Sequence, residues 1–174
     1  MKRACILLAV LATTLASRAQ QAQKPQPPTL GGHIGFLFPL VTDTSGNTTS
    51  LADAPAVAFP MGIEVKGSGH YVYSLEFVPQ YNATGQRLID FTVHPGLLYG
   101  FGGTWAVGLR AAFDVNQPTV GFTPLLHKDF PVKNKGGLLK AYYVEADLPV
   151  RFNRPVNAPA TNAVTFGMQF GVAF

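Results

Sequence analysis

Thr165-Phe166-Gly167-Met168-Gln169-Phe170-Gly171-Val172-Ala173-Phe174 alternates without a break. Phe166, Met168, Phe170, Val172 and Phe174 fall on one side. Thr165, Gly167, Gln169, Gly171 and Ala173 fall on the other. A period of two is the period of a β-strand. One face is bulky and apolar, and the other is small or polar. That division decides the fold once it recurs elsewhere.

It recurs upstream. No stretch after Leu30 has a convincing helical period, and period-two alternation broken by turn residues takes its place. Strands are predicted over 31–41, 55–66, 70–81, 87–101, 104–115, 118–130, 138–152 and 162–174. The bulky row of the fifth is Trp105, Val107, Leu109, Ala111 and Phe113; its other row is Thr104, Ala106, Gly108, Arg110, Ala112 and Asp114. Lys66-Gly67-Ser68-Gly69 and Gly102-Gly103 are turn signals. Eight strands of roughly 11 to 15 residues are long for an ordinary sheet. A tilted strand crosses a bilayer in about 9–11 residues.

An eight-stranded barrel has an interior barely wide enough for side chains. The bulky rows are too large to converge there, and they suit a lipid-facing exterior. A soluble barrel of lipocalin type, or a soluble sandwich, has the opposite polarity. The expected fold is therefore all-β, an eight-stranded antiparallel up-and-down transmembrane β-barrel over 30–174.

Composition agrees. The chain has 174 residues, 47% apolar and 13% charged, with a formal charge of +4 and one Cys. So little charge argues against a disordered chain. A single Cys excludes an internal disulfide framework and a cysteine-based zinc site. The positive balance would suggest nucleic acid, but its location matters. Lys2 and Arg3 precede an apolar run from Ala4 to Leu15, and Ser17-Arg18-Ala19 sets small residues before Gln20. This is the pattern of a cleaved signal peptide over 1–19. Cleavage removes three of the thirteen basic residues, which leaves ten against nine acidic ones. No basic stripe then remains for nucleic acid. Residues 20–29 are rich in Gln and Pro and read as a flexible leader.

The alternating end of the chain, stopping on Phe174, resembles the C-terminal assembly signal of bacterial outer-membrane β-barrel proteins. The signal there is carried by Phe166, Met168, Phe170, Val172 and Phe174. The resemblance covers 30–174 as a small barrel and implies no subfamily. It implies a location in the bacterial outer membrane and a monomer in contact with lipid and lipopolysaccharide. It also implies delivery by the barrel assembly machinery through the last strand, with Phe174 at the periplasmic rim. The inner turns are then 67–69, 102–103 and 131–137, and the outer loops 42–54, 82–86, 115–117 and 153–161. Tyr71, Tyr99, Trp105 and Tyr142 fall near the inner rim and Tyr81 near the outer one, as an interfacial girdle requires.

Parity turns Glu64, Glu76, Asp90, Arg110, Asp114, Asp129, Glu145, Asp147 and Arg151 inward, with His94 and His127. Arg110 can bridge Glu76 and Glu145 across the interior, an ion-pair network that plugs it; His94, Asp90, Asp114 and Asp147 are further interior polar groups. Buried charges need partners, and one arginine between two carboxylates meets that need. Ser74 and His70 share a strand and point inward, whereas barrel lipases carry their Ser and His on the lipid-facing surface. No catalytic set, metal site or cofactor is expected. The expected role is non-enzymatic, structural or at the surface. A narrow channel or carrier for small or apolar solutes, and a lipid-modifying hydrolase, stay open. Pro60, Pro95 and Pro124 sit inside strands and predict bulges or bends at one height, unless those strands are shorter.

Overall fold

A computed structural model describes residues 27–82, 84, 87–133, 136–157 and 159–174. The proposed signal peptide and nearly all of the leader lie outside these residues. The described chain forms one antiparallel sheet of eleven strands. They are β1 (Thr29–Thr44), β2 (Asn47–Ser50), β3 (Ala56–Ala58), β4 (Met61–Lys66), β5 (Tyr71–Asn82) and β6 (Arg87–Gly102). Then come β7 (Trp105–Asp114), β8 (Thr119–Pro131), β9 (Ala141–Asp147), β10 (Val150–Asn153) and β11 (Thr161–Ala173).

The pairing returns to its start. β1 pairs with β3 and β4, these with β5, and β5 through β8 follow in order. β8 pairs with β9 and β10, both pair with β11, and β11 pairs with β1. The sheet is thus a ring of eight walls, two of which are each made of two short strands. Its seam runs from His33 opposite Ala173 to Thr44 opposite Ala163. Gly32 and Phe174 extend it by exchanging both backbone hydrogen bonds, each at 2.9 Å. The end that carries Thr29 and Phe174 is called here the terminal end, and the opposite one the loop end.

The two split walls have one cause. Phe59 N–H donates to the Pro79 carbonyl at 2.9 Å, but Pro79 has no N–H to return. Beside it, Gly35 N–H donates to the Pro60 carbonyl at 3.0 Å, and Pro60 returns nothing. The break between β3 and β4 falls on these two residues. Between β9 and β10 the pattern repeats. Leu148 donates to Pro124 and Thr165 to Pro149, each at 2.9 Å and each unreciprocated. Register is kept across both breaks, so side chains stay on their faces.

This corrects the expected bulges. No register shift occurs at Pro95, which lies opposite Leu75, or at Pro124, which lies opposite Leu109. The shifts fall at Pro39/Val41, Gln80/Tyr81 and Gly100/Gly102. A second correction concerns 42–54, expected as a loop. Residues 41–44 and 47–50 pair as a hairpin. Ser45 and Gly46 turn it with φ of 52° and 90°, the paired positive values that a two-residue turn needs. Thr29, placed in the leader, already pairs with Lys66 in β1.

Burial follows the alternation. Phe36, Ile63, Leu109 and Phe113 are exposed on the outside of the ring, while Glu76, Arg110, Glu145 and Gln169 are at most 2% exposed within it. Glycines make room for the large interior groups. A Cβ at Gly96 would run into the Arg110 stem, and one at Gly62 into the His33 ring.

Candidate functional site

Adjacent walls aim their inward side chains at one another because the ring is narrow. At mid-height this converges on Arg110 from β7. Its two terminal nitrogens meet the two oxygens of Glu145 from β9, Nη1 to Oε1 in a close pair and Nη2 to Oε2 at 3.3 Å. Arg110 Nη1 also stands 3.6 Å from Glu76 Oε2 on β5 and 3.9 Å from Asp147 Oδ1 on β9.

Glu76 is the second hub. It receives His33 Nε2 at 2.8 Å, His94 Nδ1 at 3.2 Å and Gln169 Nε2 at 3.2 Å. His33 faces Glu64 with its other nitrogen at 3.1 Å. His127 likewise lies between Glu145, at 2.9 Å, and Asp129, at 3.1 Å. Only an imidazolium donates from both nitrogens, so these two histidines are satisfied by carboxylates when charged. His94 differs. Arg151 Nη2 donates to its Nε2 at 2.8 Å, which leaves Nδ1–H for Glu76 and fits a neutral ring. Tyr143 completes the layer: its hydroxyl accepts from Gln169 at 2.8 Å, and its ring stacks on His127 at 5.3 Å between centroids.

The layer divides the interior. Towards the loop end a cavity of about 300 Å³ is lined by Asp147, Asp90, Thr92, Arg151, Val78 and Pro39, among others. Towards the terminal end a smaller one of about 130 Å³ is lined by Glu64, Lys66, Leu98, His127 and Asp129, among others.

No family model and no curated protein matches the chain. It is similar to a chain of a solved structure described as "De novo design of transmembrane beta-barrels", at 13% identity and a TM-score of 0.40. The match covers 85% of this chain and 99% of that one.

The structure places the sequence-derived residues as follows. Arg110, Glu76 and Glu145 meet at the centre, with His94 on Glu76 and Asp147 beside Arg110. Asp114 lies nearer the loop end, where its Oδ1 accepts from Thr92 at 2.6 Å. Asp90 lines the larger cavity. Phe166 and Phe170 are exposed on the outer face of β11, Met168 and Val172 are half-buried, and Phe174 closes against Gly32. His70 is a correction. It sits exposed in the turn before β5, against the Tyr99 ring, and does not share the interior with Ser74. The Ser74 hydroxyl is buried without a hydrogen bond among the described residues. Among the described residues, no group of three or more His, Cys, Asp or Glu could hold a metal ion.

His33 was missed. It holds two carboxylates, and the signal for it was available. Ile34, Phe36 and Phe38 set the outward parity of the first strand, so His33 had to face inward.

Proposed function

We propose that the chain is an integral outer-membrane β-barrel of a double-membraned bacterium, non-enzymatic, with a structural or surface role. The carrying observation is inverted burial. Phe36, Ile63 and Leu109 are more than half exposed, while Arg110, Glu76 and Glu145 are sealed inside. An apolar surface of that extent around a charged interior is a liability in water and a requirement in lipid. The unbroken walls of 10 to 16 residues reach across a bilayer at a tilt. Tyr71, Tyr99, Trp105 and Tyr142 gather towards the terminal end, where Lys128 Nζ lies 4.8 Å over the Trp105 ring. Aromatic and snorkelling lysine side chains suit the headgroup region. Residues 1–19 would act as the export signal and be removed, and β11 would be the strand offered to the assembly machinery.

Membrane fractionation with heat-modifiable gel mobility tests this. The protein should sediment with outer membranes and migrate differently before and after boiling. Recovery as a soluble protein overturns the reading.

The cavity at the loop end favours a second reading, a narrow carrier or channel for small solutes. Planar-bilayer recording of folded protein separates the two: steady conductance supports a channel, and none removes it. A lipid hydrolase finds less support, since His70 is not beside Ser74.

A further inference from the structure

Asp147 ends β9, immediately before the proline-induced break, and is 3% exposed. Neither carboxylate oxygen has a hydrogen bond among the described residues. Arg110 Nη1, 3.9 Å away, is committed to Glu145 and Glu76. A buried carboxylate left this way is costly unless something fills the place of its partner. The cavity of about 300 Å³ at the loop end meets Asp147 in its wall.

The charges there are unbalanced. Glu76 and Glu145 are matched by Arg110 and the histidines. Asp90, Asp114 and Asp147 remain on the loop side with Arg151. Arg151 is already occupied by the Thr123 hydroxyl, the carbonyls of Phe122 and Val150, and His94. The same cavity has apolar walls at Leu37, Pro39, Val78 and Pro149. A buried carboxylate without a donor, set beside apolar walls, calls for an ammonium group on a short hydrocarbon chain. We infer that this cavity is a binding site for a small organic monocation, with Asp147 receiving the ammonium group and the Leu37, Pro39 and Val78 walls holding the chain. Charge-assisted hydrogen bonds to the carboxylate would supply the affinity. The inference does not rest on the membrane reading; a soluble protein would be titrated in buffer alone.

The test titrates isotope-labelled protein, refolded in detergent micelles, with n-butylammonium chloride, and in parallel with n-butanol and with sodium chloride. The amine should shift the Gly167, Val78 and Thr92 amides saturably, and the alcohol and the salt should not. Asp147→Asn should weaken amine binding at least about tenfold. Ala56→Leu puts volume into the cavity without changing charge, and it should weaken binding too. Should Asp147→Asn fail to fold, Ala56→Leu decides, and unchanged affinity in it overturns the inference. The alcohol or the salt acting as strongly as the amine also overturns it. An uncharged Asp147 would give that outcome. A shift that never saturates, or one that survives Asp147→Asn, sinks it as well.

Discussion

Arg110 lays both terminal nitrogens of its guanidinium on the carboxylate of Glu145, and Gly96 leaves room for its stem. Removing the cation alone takes the guanidinium from three buried carboxylates, Glu145, Glu76 and Asp147, and leaves the first two only their histidine and glutamine partners. Arg110→Ala should therefore cost about 3–5 kcal/mol. Replacing both partners by apolar residues, as in Arg110→Met with Glu145→Leu, should cost much less, because no unpaired charge of this pair is left. Urea unfolding of the refolded protein reads both. Equal losses would mean that the pair's net attraction, rather than burial of its survivor, sets the cost.

Gly62 and His33 should be energetically coupled. An alanine at 62 collides with the imidazole that joins Glu64 to Glu76. Gly62→Ala should destabilise the wild type by about 1–3 kcal/mol and cost far less in a His33→Ala background. Additive effects in that double-mutant cycle would show that the ring has slack at this point.

The split walls predict a gain. Pro124→Ala supplies the missing N–H opposite the Leu148 carbonyl, a net hydrogen bond of about 0.5–1.5 kcal/mol. Hydrogen exchange at Leu148 and Val150 should slow. If exchange there is unchanged, the break has another cause.

Asp53 provides a pH signature at the loop end. The Ser50 hydroxyl donates to its carboxylate at 2.6 Å and the Ser50 N–H at 2.8 Å. These bonds hold the Asp53 carboxyl below its ordinary value. A lowered value stabilises the turn at pH above the ordinary aspartate range, and the benefit fades as pH falls through the depressed value. Ser50→Ala should move the Asp53 titration upward in a carboxyl NMR experiment. No movement would mean that the backbone bond alone sets it.

The eight walls and their inside–outside parity were legible in the sequence because period two is a local property. Phe166, Phe170 and Leu109 announce their face from their immediate neighbours. Arg110, Glu76 and Glu145 could be grouped on the same basis, since only one parity buries all three. The breaks could not be located this way. Whether a proline interrupts a wall depends on which residue across the ladder expected its N–H. Pro95 leaves β6 whole, whereas Pro79 and Pro60 act together on one junction, and Pro124 and Pro149 on another. The hairpin of β2 was hidden because the polar run from Thr42 to Ser50 carries no apolar row. His33 was within reach, but its role depends on Glu64 and Glu76 lying next to it across neighbouring walls.

The exchange of hydrogen bonds between Gly32 and Phe174 has a topological consequence. Every other junction in the ring joins strands that are near neighbours in the chain. One seam alone ties the first strand to the last, and its two ends lie side by side at the same rim. A short linker from residue 174 to residue 29 would make the described polypeptide a continuous loop with no distinguished origin. Cutting that loop at 115–118 instead should yield a permuted chain that folds to the same ring, with a different pair of walls meeting last.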